Sequence, residues 1–531
     1  MTDEKAKEWG QITRRAGVVA AGTLSSRILG LVRDAVIAGT FAVAATDAFW
    51  LAFTIPNALR VVLGEGAVSG AFVPVLTDVR EKEGEEAGKV FYARLSGTML
   101  LLLALVCTLG VVAAPGLVAL YASGFRDDPE LWNTTVLLSR IVFPYIGLMG
   151  TAALITGALH AAKRFVAPSF APALLNVAFI GAAFGLLPLM DRFGFPGVVA
   201  LGIGALLGGL LQLVAQLPSL RRAGYLVRPR LGLKDPHVRR AFLLLVPLLA
   251  GLGVYQLNII ASRQLSSYLP EGAISYLFYA QRLVEMPQGM FALAIGTAAL
   301  PSLAEHASRG DLDRAKELFR QALRLSLFVA LPSAVALALL AEPTVAVLFG
   351  RGRFDAHSIA ETSRALVLLA AFIWAVASVR TIVPMFHALG DTRSPVKASA
   401  VNLLVFFSVA LATMGPMEHA GLALAIGLAA SFQLLALIVM LRRKVGRLGL
   451  RSVASSSLRS TAASGAMSVP IYLVTRLGHW SEGATVANTG IYVGAVVAGA
   501  IVYVLVGWLV GSPELVTVLN TLRRRAGRSR G

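Results

Sequence analysis

The side chains best placed to do chemistry in this chain are ionisable groups set inside long apolar stretches. Segment 17–41 carries Ser26-Arg27-Ile28-Leu29-Gly30-Leu31-Val32-Arg33-Asp34. At about 100° per residue, Arg27 and Asp34 lie on nearly one helix face, and Arg33 is turned about 120° from Arg27. Segment 46–77 adds Asp47 near its outer end, Arg60 after the Pro56-Asn57 break, and Glu65 among Gly64, Gly66 and Gly70. Segment 239–267 carries Arg263, and segment 272–303 carries Arg282 and Glu285. Ionisable residues are costly in hydrocarbon, so each is a functional candidate. Arginine keeps its proton when partly desolvated, and its planar fork of donors matches phosphate oxygens. Structural roles compete with this reading. Arg282 and Glu285, three apart on one helix, can neutralise each other. Arg33 and Asp34 can serve only as caps near a span end, and Glu65 can hydrogen-bond a broken helix. Arg140 and Arg380 read as packing or snorkelling residues, His160 and His387 as interfacial, and Pro56, Pro144, Pro287 and Pro384 as kinks.

The elements that must hold these residues follow from composition. Of the 531 residues 56% are hydrophobic and only 15% charged, against roughly 25% charged in soluble domains. A soluble globule, and a soluble enzyme with a membrane anchor, are both excluded. Fourteen apolar segments run at 17–41, 46–77, 91–121, 131–160, 167–190, 195–219, 239–267, 272–303, 319–341, 358–389, 395–416, 420–441, 458–477 and 486–511. Several exceed the ~20 residues of a perpendicular span, implying tilt or kinks. The expected fold is an all-α polytopic membrane protein of 14 transmembrane helices. Cys107 is the single cysteine, so no intramolecular disulfide or thiolate metal site forms. The absence of GxxxxGK[ST], HExxH and Cys/His metal spacing argues for a transporter with no catalytic residue, metal or bound cofactor.

The net charge of +19, from 48 Lys+Arg against 29 Asp+Glu, is large for so apolar a chain. Its distribution accounts for most of it. Even-numbered connections are basic, as at Arg221, Arg222, Arg228, Arg230, Lys234, Arg239 and Arg240, and odd-numbered ones are not. Both tails fall on the basic side, which places both termini in the cytoplasm. Tail 1–16 reads as retained cytoplasmic chain rather than a signal peptide. The basic tail 512–531 reads as a juxtamembrane anchor near anionic lipid, not a nucleic-acid site.

An internal repeat divides the rest. TDAFWLAFTIPNALRVVLGEGAVSGAFVPVLTDV and ISYLFYAQRLVEMPQGMFALAIGTAALPSLAEHA share a mid-span proline, a Gly/Ala-rich stretch and a second proline at an offset close to 230 residues. The expected organisation is a first lobe 17–222 (helices 1–6), a cytoplasmic linker 223–238, a second lobe 239–444 (helices 7–12), and an added pair of helices, 13 and 14, in 445–511. Parallel repeats of this kind suit alternating-access transporters.

SSRILGLVRDAVIAGTF, the second-span run above, FYAQRLVEMPQGMFALAIGTAALPSL and RSPVKASAVNLL together closely resemble the MurJ/MviN family of lipid II flippases, within the multidrug/oligosaccharidyl-lipid/polysaccharide exporter superfamily. The resemblance covers essentially the whole chain. It implies two six-helix lobes in a V around a central cavity, with the last two helices forming a groove for a lipid tail. It implies residence in the bacterial cytoplasmic (inner) membrane and a role in peptidoglycan and cell wall biosynthesis. Carried over by position, Arg27, Arg33, Arg60 and Arg282 match the family's required cavity arginines, and Asp34, Asp47 and Glu65 match its acidic positions. Arg263 stands where only some members are basic. The family's ADRL-like motif is here Ala280-Gln281-Arg282-Leu283, which removes the carboxylate beside Arg282.

The implied action moves lipid II, the undecaprenyl-diphosphate-linked disaccharide-pentapeptide, from the inner to the outer leaflet, with the arginines pairing the diphosphate. Functional coupling to lipid II synthesis and to transglycosylases would follow. Segments 239–267 and 395–416 contain no Asp or Glu, although Asn402 is available. Membrane potential is therefore the expected energy source, with a monovalent ion gradient the other choice. Two alternatives share the superfamily. A flippase for another polyprenyl-diphosphate saccharide would use the same arginine logic, and a cation-coupled multidrug exporter would want acids facing its substrates. A non-transporting scaffold would leave the buried arginines without a task.

Overall fold

A computed structural model describes residues 3–62, 68–288 and 293–517. Every regular element there is helical, and each expected apolar segment lies, over its described residues, in one helix or two successive helices. Among the described residues eight helical spans, 129–161 counted as one, are long and apolar enough to cross a membrane, or nine if one bent pair counts as a single span.

The chain divides into two compact units, 1–271 and 272–531. The first contains α1 (Asp3–Thr40), α2 (Val43–Val62), α3 (Val68–Glu83), α4 (Glu85–Val112), α5 (Ala114–Tyr121), α6 (Pro129–Val142), α7 (Tyr145–Ala161), α8 (Val166–Gly185), α9 (Leu187–Arg192), α10 (Val199–Arg222) and α11 (Pro236–Ser266). The second contains α12 (Ala273–Pro287), α13 (Leu293–Ser308), α14 (Leu312–Leu339), α15 (Ala341–Phe349), α16 (Ala356–Ala370), α17 (Ile373–Ala388), α18 (Arg393–Met417), α19 (His419–Val445), α20 (Arg451–Thr475) and α21 (Val486–Leu509).

The repeat is written in these bounds. Helices α4 and α14 are both 28 residues long and start at 85 and 312, an offset of 227. Helices α3 and α13 end at Glu83 and Ser308, an offset of 225. The cores correspond as well: Phe72, Val75, Phe91, Leu95 and Leu154 pack together in the first unit, as Leu303, Phe319, Leu323, Ile382 and Met385 do in the second. Helices α20 and α21 have no counterpart in the first unit. They pack on α14 through Met467, Ile471 and Tyr503, whose hydroxyl donates to the Phe328 carbonyl at 2.7 Å.

Two features differ from the sequence reading. Helix α11, assigned there to the second lobe, packs in the first unit against α2, α3, α4 and α5. Val238, Ala241 and Leu245 of α11 are buried in the first unit's core with Phe72, Leu95 and Met99, and ion pairs add to that packing. Asp235 caps α11 and pairs with Arg94 at 2.6 Å, and Arg240 pairs with Asp78 at 2.6 Å, tying the start of α11 to α3 and α4. The second difference is a bend of 46° that no proline marks, between α16 and α17 at Ala371-Phe372; Pro384 and Pro56 lie inside α17 and α2. The equivalent break between α6 and α7 does carry a proline, Pro144. Both breaks replace i→i−4 bonds by i→i−3 ones, as in Ile146 N–H to the Phe143 carbonyl and Phe372 N–H to the Leu369 carbonyl, but only the first has a proline; at the second the Phe372 ring packs on Gly427 of α19.

That packing is tight enough to test. A Cβ at Gly427 of α19 would stand 2.0 Å from the Phe372 ring. Gly427→Leu should destabilise the protein by about 1–3 kcal/mol through overpacking, read as a lowered Tm in detergent, and Phe372→Ala in the same chain should restore part of it. An unchanged Tm would contradict the contact.

Candidate functional site

In the first unit α1, α2, α7 and α8 bring polar groups together inside apolar helices. The Arg33 guanidinium donates from Nε and Nη2 to one oxygen of Asp34, at 2.8 and 2.6 Å, and from Nη1 to Asn176 Oδ1 at 3.1 Å. Asn176 in turn donates to the Ser26 carbonyl at 3.0 Å, so α8 is fastened to α1 both at the arginine and at a point N-terminal to it. The guanidinium carbon stands 5.4 Å from the centre of the Phe179 ring. Phe179 belongs to an aromatic group with Phe49, Phe53 and Tyr145, each successive pair 5.5–6.1 Å apart.

These contacts fix the geometry. Asp34 is fully buried and the Arg33 side chain is 11% exposed. Burying either charge without the other is strongly destabilising, whereas a paired and hydrogen-bonded set is tolerated. Three of the five guanidinium N–H groups are used by Asp34 and Asn176. Two remain without a partner among the described residues, enough to meet oxygens of an anion. Arg60, half-buried at the end of α2, donates only Nε, to Asn57 Oδ1 at 3.0 Å. Its other N–H groups have no hydrogen-bond partner among the described residues. The buried Tyr145 lies in the field of both Arg33 and Arg60.

Other expected site residues are placed separately. Arg27 is half-buried on α1, and Asp47 is 3% exposed near the start of α2. Glu65 lies outside the described residues. Arg263 is buried near the end of α11 in the first unit. Arg282 and Glu285 lie on α12 in the second unit, 3.8 Å apart, so the neutralising pair read from their spacing exists there. Pro287 is the last residue of α12. At a loop before α18, Asp391 accepts from Lys444 Nζ at 2.9 Å and from the Arg393 and Ser394 backbone N–H groups. The Lys444 ammonium, with those N–H groups, holds its carboxyl well below the usual carboxylate range. Asn402 donates to Gln433 Oε1 at 3.0 Å.

Asn176 and Phe179 were not foreseen. A search for charges passes over α8, but a lone Asn in VAPSFAPALLNVAFIGAAFG was a usable signal, because a buried amide demands partners.

A helical repeat protein with long apolar spans and anion-ready arginines on buried helix faces defines the class of polytopic membrane transporters. Among solved structures, "Lipid II flippase MurJ, inward closed conformation" superposes with a TM-score of 0.77 at 24% identity, covering 92% of this chain and 98% of that one. An inward-facing multidrug resistance MATE family transporter of the MOP superfamily gives 0.64 at 15% identity over 80% and 96%. The family model described as lipid II flippase MurJ matches residues 37–490. The lipid II flippase MurJ of Burkholderia cenocepacia is 36% identical over 432 residues, 80% of this chain and 83% of its own. The probable lipid II flippase MurJ of Haemophilus influenzae is 36% identical over 423 residues, 77% and 82%. The chain belongs to the lipid II flippase MurJ family.

Asn176→Ala should remove one acceptor from Arg33 and one tie between α8 and α1, costing about 0.5–1.5 kcal/mol of stability. Transport should fall more than that loss explains, while Asn176→Asp, which keeps the acceptor, should retain more transport than Ala. Thermal melts paired with a cell-survival assay dependent on this chain check both; equal transport in wild type and Asn176→Ala would contradict the role.

Proposed function

We propose that this protein is a lipid II flippase, moving the undecaprenyl-diphosphate-linked peptidoglycan precursor from the inner to the outer leaflet of the bacterial cytoplasmic membrane by alternating access. The observation that carries the reading is Arg33, fixed by Asp34 and Asn176 yet left with two N–H groups directed to no residue described. A cation clamped in this way is prepared for an anion without rearrangement, and a diphosphate offers oxygens enough for Arg33 and Arg60 together. Arg27 and Arg282 are the further counter-charges, and the polyprenyl tail stays in lipid along α20 and α21. Fourteen spans with both termini cytoplasmic are the topology that the alternation of basic connections supports. With no nucleotide-binding motif in the chain, the membrane potential is the proposed driving force.

The reading is tested by replacing the resident lipid II flippase of a bacterium with this chain and measuring lipid II exposed on the outer leaflet. Wild type should rescue growth and exposure; Arg27→Ala, Arg60→Ala and Arg282→Ala should each lose rescue at normal protein levels. Rescue by all three variants would defeat the arginine mechanism, and exposure of a different polyprenyl-diphosphate saccharide alone would move the substrate assignment.

A further inference from the structure

The basic residues at one end of the first unit fall into two populations. Five have an acid: Arg80 pairs with Glu85, Lys82 and Arg240 with Asp78, Lys89 with Glu86, and Arg94 with Asp235. Arg228, Arg230 and Lys234 are exposed, and their side chains have no acid or hydrogen-bond acceptor among the described residues. All three lie on the segment joining α10 to α11, whose residues 225–232 are non-helical.

This segment is fixed in place by its backbone. Tyr225 is buried and donates its hydroxyl to Glu85 at 3.1 Å. The Arg230 N–H donates to the Ala93 carbonyl at 2.8 Å, and the Gly232 N–H to Thr98 Oγ1 at 3.0 Å. A Cβ at Gly97 would stand 2.2 Å from the Arg230 carbonyl oxygen, so the strap lies directly on α4. Its outward side chains include Leu226, Leu231 and Leu233, 54%, 63% and 67% exposed. Helix α4 then exposes Leu101 at 50%, Leu105 at 54% and Leu109 at 58%. Thr98 to Leu101 is about 4.5 Å of helix rise, so the strap crosses α4 just where its apolar outer surface begins. Three leucines at that level, interleaved with three cations lacking counter-ions, match the boundary between acyl chains and phosphates.

We propose that the segment 224–234 binds the headgroups of anionic phospholipids in the leaflet at this end of the molecule, with Arg228, Arg230 and Lys234 on the phosphates and Leu226, Leu231 and Leu233 in the glycerol and upper acyl region. The assignment of that leaflet as cytoplasmic rests on the topology proposed above; the headgroup site itself does not. Because the strap runs into Asp235, which caps α11 and holds Arg94, bound lipid also fixes the start of α11.

The full chain carrying Cys107→Ser and Leu233→Cys, labelled at the new thiol with an environment-sensitive fluorophore, is placed in phosphatidylcholine vesicles with and without phosphatidylglycerol. Quenching by lipids spin-labelled high on the acyl chain should exceed quenching by aqueous iodide, and phosphatidylglycerol should increase it. Native mass spectrometry of the unlabelled protein should show phosphatidylglycerol retained over phosphatidylcholine, and Arg228→Ser/Arg230→Ser/Lys234→Ser should lower that preference on the order of tenfold or more with an unchanged Tm. Iodide-dominated quenching, or an unaltered lipid preference in the triple variant, would overturn the proposal. Neither readout contains lipid II, so failure of the flippase reading leaves both untouched.

Discussion

A guanidinium inside an apolar helix bundle must be supplied with acceptors, and the first unit is organised around that demand. Arg33 takes its neighbour Asp34 as counter-ion and reaches Asn176 on α8 for a third hydrogen bond. Phe179 lies against the same guanidinium. Helix α8 can serve Arg33 only while it packs along α1, and Asn176 secures that packing by donating back to the Ser26 carbonyl. The aromatic group of Phe49, Phe53 and Tyr145 then links α2 and α7 to the same point. The low dielectric that makes an unpaired charge costly also makes a partly satisfied guanidinium a strong anion partner.

The second unit repeats the helices and again carries an asparagine inside an apolar span. Helix α18 follows α17 as α8 follows α7; Asn176 of α8 accepts from Arg33, and Asn402 of α18 donates to Gln433. The arginine of the second unit stands on α12 beside Glu285 at 3.8 Å, with the arginine side chain 31% exposed. The added helices α20 and α21 are joined to α14 by Tyr503 and by the Arg324–Glu514 pair at 2.6 Å, which makes them part of the second unit.

The helical class, the positions of the helices and the repeat were legible because each rests on hydropathy and near-constant spacing, which the chain displays openly. The pairing of Arg33 with Asp34 was legible as a possibility because the two are adjacent. The third partner was not, since Asn176 is 143 positions away and neutral, and only the packing of α1 on α8 brings it to the guanidinium. The membership of α11 was hidden for a related reason. Hydropathy counts α11 as the opening of the second repeat, whereas Val238, Ala241 and Leu245 pack in the first unit's core and ion pairs from Arg94 and Asp78 join its start to α4 and α3. Kinks were only partly legible: Pro144 marks one break, but no proline stands at the 46° bend, where Phe372 packs on Gly427.

The central claim is that a clamped arginine fork reads a diphosphate. The most direct measurement is the affinity of the purified full-length protein for a short-chain polyprenyl diphosphate against the matching monophosphate, in wild type and in Arg33→Lys. A lysine keeps the charge but loses the planar fork. The account predicts tighter binding of the diphosphate by wild type and loss of most of that preference in Arg33→Lys. Equal affinity for the two ligands in wild type, or an unchanged preference in Arg33→Lys, would contradict it.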